Sequence, residues 1–195
     1  LKIKIILFEP NSVLGRANRF MLNFSSKIIC YDRDLKLISE KYNKKMFVID
    51  RILKKDIYLL KKNNKKEFGK LKKILVVAGS QGAEFFDYKI TDLILNISKK
   101  IDLEVHQQFF DINNKLLIEK KYKSLGIKFN LFKFDENIYQ KIYDCDLAIT
   151  RSGASSISEL SYLNIPFLAI PFPHATDNHQ FFNAKYYEAK NSCWI

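Results

Sequence analysis

Three stretches of the chain gather glycine, hydroxyl and amide residues at points where a β-strand gives way to a helix. The first is DLAITRSGASSISEL, Asp146 to Leu160. It opens as an apolar strand, breaks at Arg151-Ser152-Gly153-Ala154-Ser155-Ser156 and resumes as a helix. Small residues there leave the helix mouth open. The first amides of a helix lack intrahelical partners and carry a partial positive charge, so phosphate oxygens fit against them. The serine hydroxyls add donors. Glu159, about one turn further, can accept both hydroxyls of a ribose, as the acidic residue of dinucleotide folds does. A competing account is a capping box, with Ser156 as the cap and Glu159 three residues later. On this segment alone the box is the simpler account.

The second stretch is AGSQGA, Ala78 to Ala83. Two glycines bracket Ser80 and Gln81 and let the backbone approach a ligand closely. It is neither a Walker loop nor a G-x-G-x-x-G fingerprint, and a tight turn capped by Ser80 would explain it as well. The third is PFPHATDNHQ, Pro171 to Gln180. The spacing of His174, Asp177 and His179 matches no standard metal motif, and no cysteine joins them. A loop of Asn, Asp and Gln reaching for sugar hydroxyls accounts for it better; a solvated loop capping the last helix is the plainer alternative. His106 ends a strand and reads as structural, and no Ser-His-Asp arrangement follows from the spacing.

These loops need a scaffold, and the rest of the chain supplies a regular one. From Lys73 onward, β-branched runs such as KILVVA and LAIT alternate with helical stretches, which implies crossover units and a parallel sheet. The strands are apolar on both faces, as a sheet covered by helices requires. The expected fold class is α/β, a Rossmann-like doubly wound parallel sheet, in which ligands bind beyond the carboxyl ends of the strands. Before it come strand-like runs at Lys2 to Phe8, Lys27 to Tyr31 and Met46 to Ile49. A helix is expected over Val13 to Phe24, with Val13, Ala17, Phe20, Met21 and Phe24 on one stripe. A polar, Lys- and Asn-rich stretch runs from Lys61 to Lys73, and a domain junction is expected between Arg51 and Lys73. The domains are expected to be 1–54 and 55–195, and the chain reads as a piece of a longer protein.

Composition narrows the function. The net charge is +12, but of 33 basic residues only five are Arg. Nucleic-acid readers lean on the planar guanidinium, and no aromatic–basic module is present, so a nucleic-acid partner is not expected. A positive face toward anionic lipid or a phosphorylated ligand stays open. Cys30, Cys145 and Cys193 are far apart and odd in number, which argues against a disulfide framework or zinc ribbon. No run approaches the ~18 apolar residues of a membrane span.

Taken together, GSQGA, RSGASSISEL and PFPHATDNHQ-x-x-NA resemble the MurG-type family of bacterial peptidoglycan glycosyltransferases, glycosyltransferase family 28, of GT-B architecture. Phe8-Glu9-Pro10-Asn11 followed by Ala17-Asn18 is similar to the family's H-E-Q-N segment and the helix after it. The resemblance implies transfer of N-acetylglucosamine from UDP-GlcNAc to the lipid-linked N-acetylmuramyl-pentapeptide, with inversion, without metal or cofactor. The expected place is the cytoplasmic face of the bacterial inner membrane, as a peripheral protein. It further implies that Ser80 meets the diphosphate, and that Ala154, Ser155, Ser156, Ile157 and Ser158 form the helix start facing phosphates and sugar. Glu159 would bind the ribose diol, Phe134 would cover the uracil, and the Asp135 backbone would read its edge. Gln180 and Asn11 would hold the GlcNAc, and Arg151 would act as a charge near the nucleotide. Phe8 and Pro10 depart from the family's His and Gln, and Lys54 stands where its junction arginine is expected. The base is expected from outside this chain, which alone would bind donor weakly and transfer nothing. The alternative reading is a non-catalytic sugar-nucleotide subunit that needs a separate membrane partner.

Overall fold

The computed structural model describes residues 3–61, 72–79 and 83–195. Two parallel sheets organise them. The smaller contains β1 (Ile5–Glu9), β2 (Ser25–Cys30) and β3 (Met46–Val48) in that order. The larger contains β4 (Lys72–Val77), β5 (Leu103–Gln108), β6 (Lys128–Phe132), β7 (Leu147–Thr150), β8 (Phe167–Ala169) and β9 (Cys193–Trp194). Its spatial order is β6-β5-β4-β7-β8-β9, all parallel. The chain therefore winds outward from β4 to one edge, returns to β7 and winds to the other edge. That is the doubly wound order expected from the alternating pattern.

Helices cover both faces of the large sheet. A continuous helix runs from α3 (Ala83–Phe85) through a π turn (Phe86–Ile90) into α4 (Thr91–Ser98). With α5 (Ile112–Ser124) it buries Ile74, Val76, Phe86, Ile94, Val105 and Ile118. The opposite face is covered by α6 (Ile138–Asp144), α7 (Ala154–Tyr162) and α8 (His179–Glu188), around Leu75, Ile157, Leu160, Phe167, Ala184 and Tyr187. Burial of each such side chain stabilises by about 1.5–3 kcal/mol. Ile57 of α2 (Lys55–Lys61) joins this second core.

The region between the first two strands differs from the expected long helix. Only Arg16–Met21 is helical (α1), while Val13 bridges Lys36 and the Leu14 amide donates to the Lys36 carbonyl. Phe20 and Phe24 lie in solvent at 75% and 66% exposure; Leu14 and Leu22 enter the core instead. A stripe drawn at helical spacing fails here because the helix begins only at Arg16, after Val13, and ends at Met21. The polar stretch 62–71 lies outside the described residues, as does Ser80.

A polar network sits inside the face that α5 covers. Gln107 donates to Thr91 and accepts from Tyr122, all three buried. On the π turn, Asp87 is 2% exposed. Its Oδ2 accepts from the Phe110 amide and from Asn114, while Oδ1 makes no hydrogen bond among the described residues. Burial pushes this carboxyl above the usual range, against the pull of Asn114 and the neighbouring amides. A carboxyl raised in this way stabilises the fold fully below its unfolded pKa and less as pH rises through the folded one. Asp87→Asn is therefore expected to raise the urea midpoint at neutral pH and to flatten its decline from about pH 4 upward. A midpoint below that of the unsubstituted chain at about pH 8 would contradict this account.

Candidate functional site

The winding reverses between β4 and β7, and these strands are hydrogen-bonded neighbours with Val77 opposite Thr150. Successive loops leave the sheet in opposite directions at such a point, and a crevice opens between them. The two glycine-containing loops seen in the sequence are those that follow β4 and β7, so they emerge side by side. Gly79 sits at φ +71°, a left-handed conformation that favours glycine. Its amide donates to Gln108 Oε1 at 3.3 Å, and Gln108 Nε2 donates to the Lys133 carbonyl at 3.2 Å. One side chain at the end of β5 thus ties together the loops after β4 and β6. Residues 80–82 lie outside the described residues, and Ser80 with them.

The start of α7 differs from the capping-box expectation. Gly153 is the cap residue, in an extended conformation, and no side chain caps the helix. Ser156 is inside the first turn. The amides of Ala154, Ser155 and Ser156 precede the first intrahelical bond, from the Ile157 amide to the Gly153 carbonyl at 3.2 Å. Ser155 and Ser156 are themselves exposed. Ile157 and Ser158 point the other way. Ile157 is in the core, and the buried Ser158 hydroxyl donates to the Ala154 carbonyl and accepts from Tyr187. Arg151 also turns inward. Its guanidinium donates to the carbonyls of Ile170 and Pro171 at 3.1 and 3.2 Å and lies over Phe86. Burial lowers its pKa. It pins the loop after β8 against the loop after β7, a positioning role by contact.

Next to the α7 start a cavity of about 140 Å³ opens over the carboxyl ends of β4 and β7. Its floor is apolar, formed by Leu75, Val77 and Ile149; Thr150, Ser156, Glu159 and Tyr139 give it a polar side. Burial pushes the Glu159 carboxyl up, and Lys54 partly pulls it back. The Lys54 ammonium lies 5.2 Å from the Tyr139 ring centre, and the Tyr139 hydroxyl holds its pKa above the usual ammonium value. Lys54 thus stands close to Tyr139 and Glu159, two residues that line the cavity. Phe134, 82% exposed, and Asp135 lie on the loop leading to α6, whose residues Ile138 and Tyr139 line the cavity. Asp135 Oδ1 accepts from the Asn137 amide, and Lys141 holds its carboxyl below the usual range.

The loop after β1 in the small sheet meets α8. Glu9 ends β1 and is 2% exposed. Its Oε1 accepts from the Asn11 amide and side chain at 3.1 and 2.9 Å; its Oε2 accepts from the Gly15 amide at 2.7 Å and Asn18 at 3.0 Å. A Cβ at Gly15 would stand 3.2 Å from Oε2, so only glycine lets the carboxylate this close without a shift. Asn11 is fixed by Glu9 on one side and by Asn183 of α8 on the other. Gln180 accepts from the Phe172 amide at 2.9 Å through Oε1, and its NH₂ group meets no partner among the described residues. Asp177, at φ +53°, pairs with Arg19 at 2.5 Å and Arg16 at 3.5 Å, both on α1. Glu9 and Asn183 carry no role in a reading of motifs, although both lie within the quoted FEPN and HQ-x-x-NA segments. Their signal was position within those segments; their partners are visible only in three dimensions.

Residues 73–195 match the Glycosyltransferase family 28 C-terminal domain. The chain is 39% identical over 198 residues to the UDP-N-acetylglucosamine–N-acetylmuramyl-(pentapeptide) pyrophosphoryl-undecaprenol N-acetylglucosamine transferase of Pelagibacter ubique, covering all of this chain and 54% of that protein. It is 37% identical over 196 residues to the transferase of the same name from Rickettsia canadensis, covering 55% of it. The chain thus spans about half the length of these curated relatives. The crystal structure of Acinetobacter baumannii MurG superposes on all of the chain with a TM-score of 0.79 at 20% identity, over 53% of its own length. That likeness establishes a shared fold.

The buried carboxylate of Glu9 holds four donors, and its loss leaves them without an acceptor. Hydrogen bonds to charged groups contribute about 1.5–3 kcal/mol each. Glu9→Ala is expected to lower stability by about 3 kcal/mol or more, and Glu9→Gln by about half of that. Urea unfolding of the chain reads both; equal midpoints for Glu9→Ala and the unsubstituted chain would remove Glu9 from this role.

Proposed function

Because the chain belongs to the glycosyltransferase family 28 C-terminal domain family, we propose that its crevice is a UDP-GlcNAc site. In the whole protein that site would serve transfer of N-acetylglucosamine to a lipid-linked N-acetylmuramyl-pentapeptide. The observation that carries the reading is the start of α7, without a side-chain cap at the switch point, beside a largely apolar cavity that Glu159 lines. An anion fits the free amides of Ala154, Ser155 and Ser156, and the apolar floor of the cavity suits part of a nucleoside. Residues 1–54 and 55–195 would form the acceptor-side and donor-side units.

In this reading the diphosphate lies on the α7 amides and is met by Ser80. Glu159 accepts the two ribose hydroxyls, Phe134 stacks on the uracil, and the Asp135 backbone meets the base edge. Lys54 supplies a point charge near the nucleotide. The free NH₂ of Gln180 and the amide of Asn11 meet hydroxyls of the GlcNAc. The transfer breaks the bond between the anomeric carbon and the diphosphate as an acceptor hydroxyl attacks from the opposite face. Negative charge develops on the departing UDP, where the fixed helix dipole and amides are already oriented to receive it. No metal is required for that stabilisation. A general base takes the hydroxyl proton, and we assign it to the half of the relatives' length that this chain does not span. This chain alone would bind donor and not transfer it. Among the described residues no helix is long and apolar enough to cross a membrane. We propose peripheral attachment at the cytoplasmic face, where the lipid-linked acceptor is presented.

Titration calorimetry with UDP tests the site. A carboxylate that accepts two hydroxyls must be ionised, and burial raises the Glu159 pKa. UDP affinity is therefore expected to be flat above that raised pKa and to fall as pH drops through it. Glu159→Gln is expected to weaken UDP at neutral pH by about tenfold or more and to lose that acid-side decline. No heat with millimolar UDP at neutral pH would overturn the assignment.

A further inference from the structure

Asn183 has no assigned part in the site, yet its side chain joins loops from the two sheets. It lies on the first turns of α8 and is 3% exposed. Its Oδ1 accepts from the Ser12 amide at 2.8 Å. Its Nδ2 donates to Asn11 Oδ1 at 3.0 Å and to the Ser152 carbonyl at 3.1 Å. Ser12 and Asn11 belong to the loop after β1, in the small sheet; Ser152 belongs to the loop after β7, in the large one. One amide therefore uses both its hydrogens and its oxygen to hold two loops from different sheets.

The direction of each bond matters. An amide side chain has one accepting end and one donating end. Because Asn183 donates to Asn11 Oδ1, the Asn11 oxygen is turned toward α8 and its NH₂ is turned toward Glu9, to which it gives one hydrogen. The second hydrogen of that NH₂ is left for an acceptor. Asn183 and Glu9 together thus set which end of Asn11 faces the cleft. A buried amide with every group satisfied has a single low-energy orientation, since a flip would set donor against donor and acceptor against acceptor.

We propose that Asn183 is a positioning residue for sugar recognition: by holding Asn11 and the loop after β7 in one frame, it presents Asn11 as a hydrogen-bond donor to a hydroxyl of the bound N-acetylhexosamine. The inference rests on the UDP-GlcNAc reading of the crevice. Asn183 touches no ligand itself, so its effect passes through Asn11. The nucleotide half of the site does not depend on it in the same way, because Arg151 also fastens the loop after β7, at the carbonyls of Ile170 and Pro171.

Calorimetry of the full chain with UDP and with UDP-GlcNAc gives two affinities, and their ratio isolates the sugar. Asn183→Asp keeps the acceptor for Ser12 but sets an oxygen against Asn11 Oδ1 and the Ser152 carbonyl. Asn183→Ser makes a neutral, smaller change should the added charge prevent folding. Either variant is expected to lower the ratio about tenfold while UDP affinity changes less than about threefold. Asn11→Ala should lower the ratio by a similar factor, and the double variant Asn11→Ala/Asn183→Ser should lower it no further, since the two act as one unit. A merely structural role for Asn183 would weaken both ligands together. A ratio unchanged in the folded Asn183 variants, or a double variant that loses the product of the single losses, overturns the inference. UDP bound as tightly as UDP-GlcNAc by the unsubstituted chain overturns the sugar reading and this inference with it, while UDP binding itself tests the nucleotide reading separately.

Discussion

Parallel hydrogen bonding between β4 and β7 is the constraint on which the site rests. The two strands are neighbours in space although β5 and β6 lie between them in the chain. Their crossover helices must leave on opposite faces of the sheet, one toward α3 and α4 and one toward α7. A crevice is expected at the carboxyl ends of strands related in this way. Because every strand of the sheet is parallel, every helix that follows a strand begins on this side. The positive ends of their dipoles therefore gather at the same rim. A site for an anion needs little else from the fold.

What refines the crevice is a set of buried polar contacts that work in one direction. Glu9 gathers four donors, Asn183 gives and receives across two sheets, and Arg151 fastens two loop carbonyls. Each carries few alternatives, since an inverted amide or displaced carboxylate would leave a buried group unpaired. These contacts order the loops without covering the amides at the α7 start. Asp87 is an exception to the economy of the network, with one carboxylate oxygen that no described donor meets.

The comparison of relatives places the chain in a family whose members share the fold, and the shared fold hosts more than one chemistry in general. The specific reading therefore comes from residues, not from the sheet. A largely apolar cavity, a carboxylate raised by burial and a lysine near it lie next to the open helix end. Phe8 and Pro10, which depart from the family pattern, flank Glu9. Phe8 packs edge-on to Tyr31 at 5.6 Å, and the carboxylate network of Glu9 is complete with both in place.

The sequence by itself determined the class of fold and the loops that matter. Alternation of β-branched runs with helical stripes is a local signal, repeated along the chain, and it gave β7 its bounds of Leu147–Thr150 to the residue. Glycine and serine at strand ends are local too, and they pointed to the loops after β4 and β7. Where a stripe was short, as over Val13 to Phe24, local spacing misled, because a bridge from Val13 to Lys36 competes with the helix. Only the tertiary structure decided which loops meet, since strand order is a long-range matter that no window of residues contains. It alone separated the helix start from a capping box, through the cap at Gly153. It alone turned Ser158 and Arg151 inward and linked Asn183 to Asn11. Side chains 172 positions apart acquire a shared role only when packing brings them within hydrogen-bonding distance.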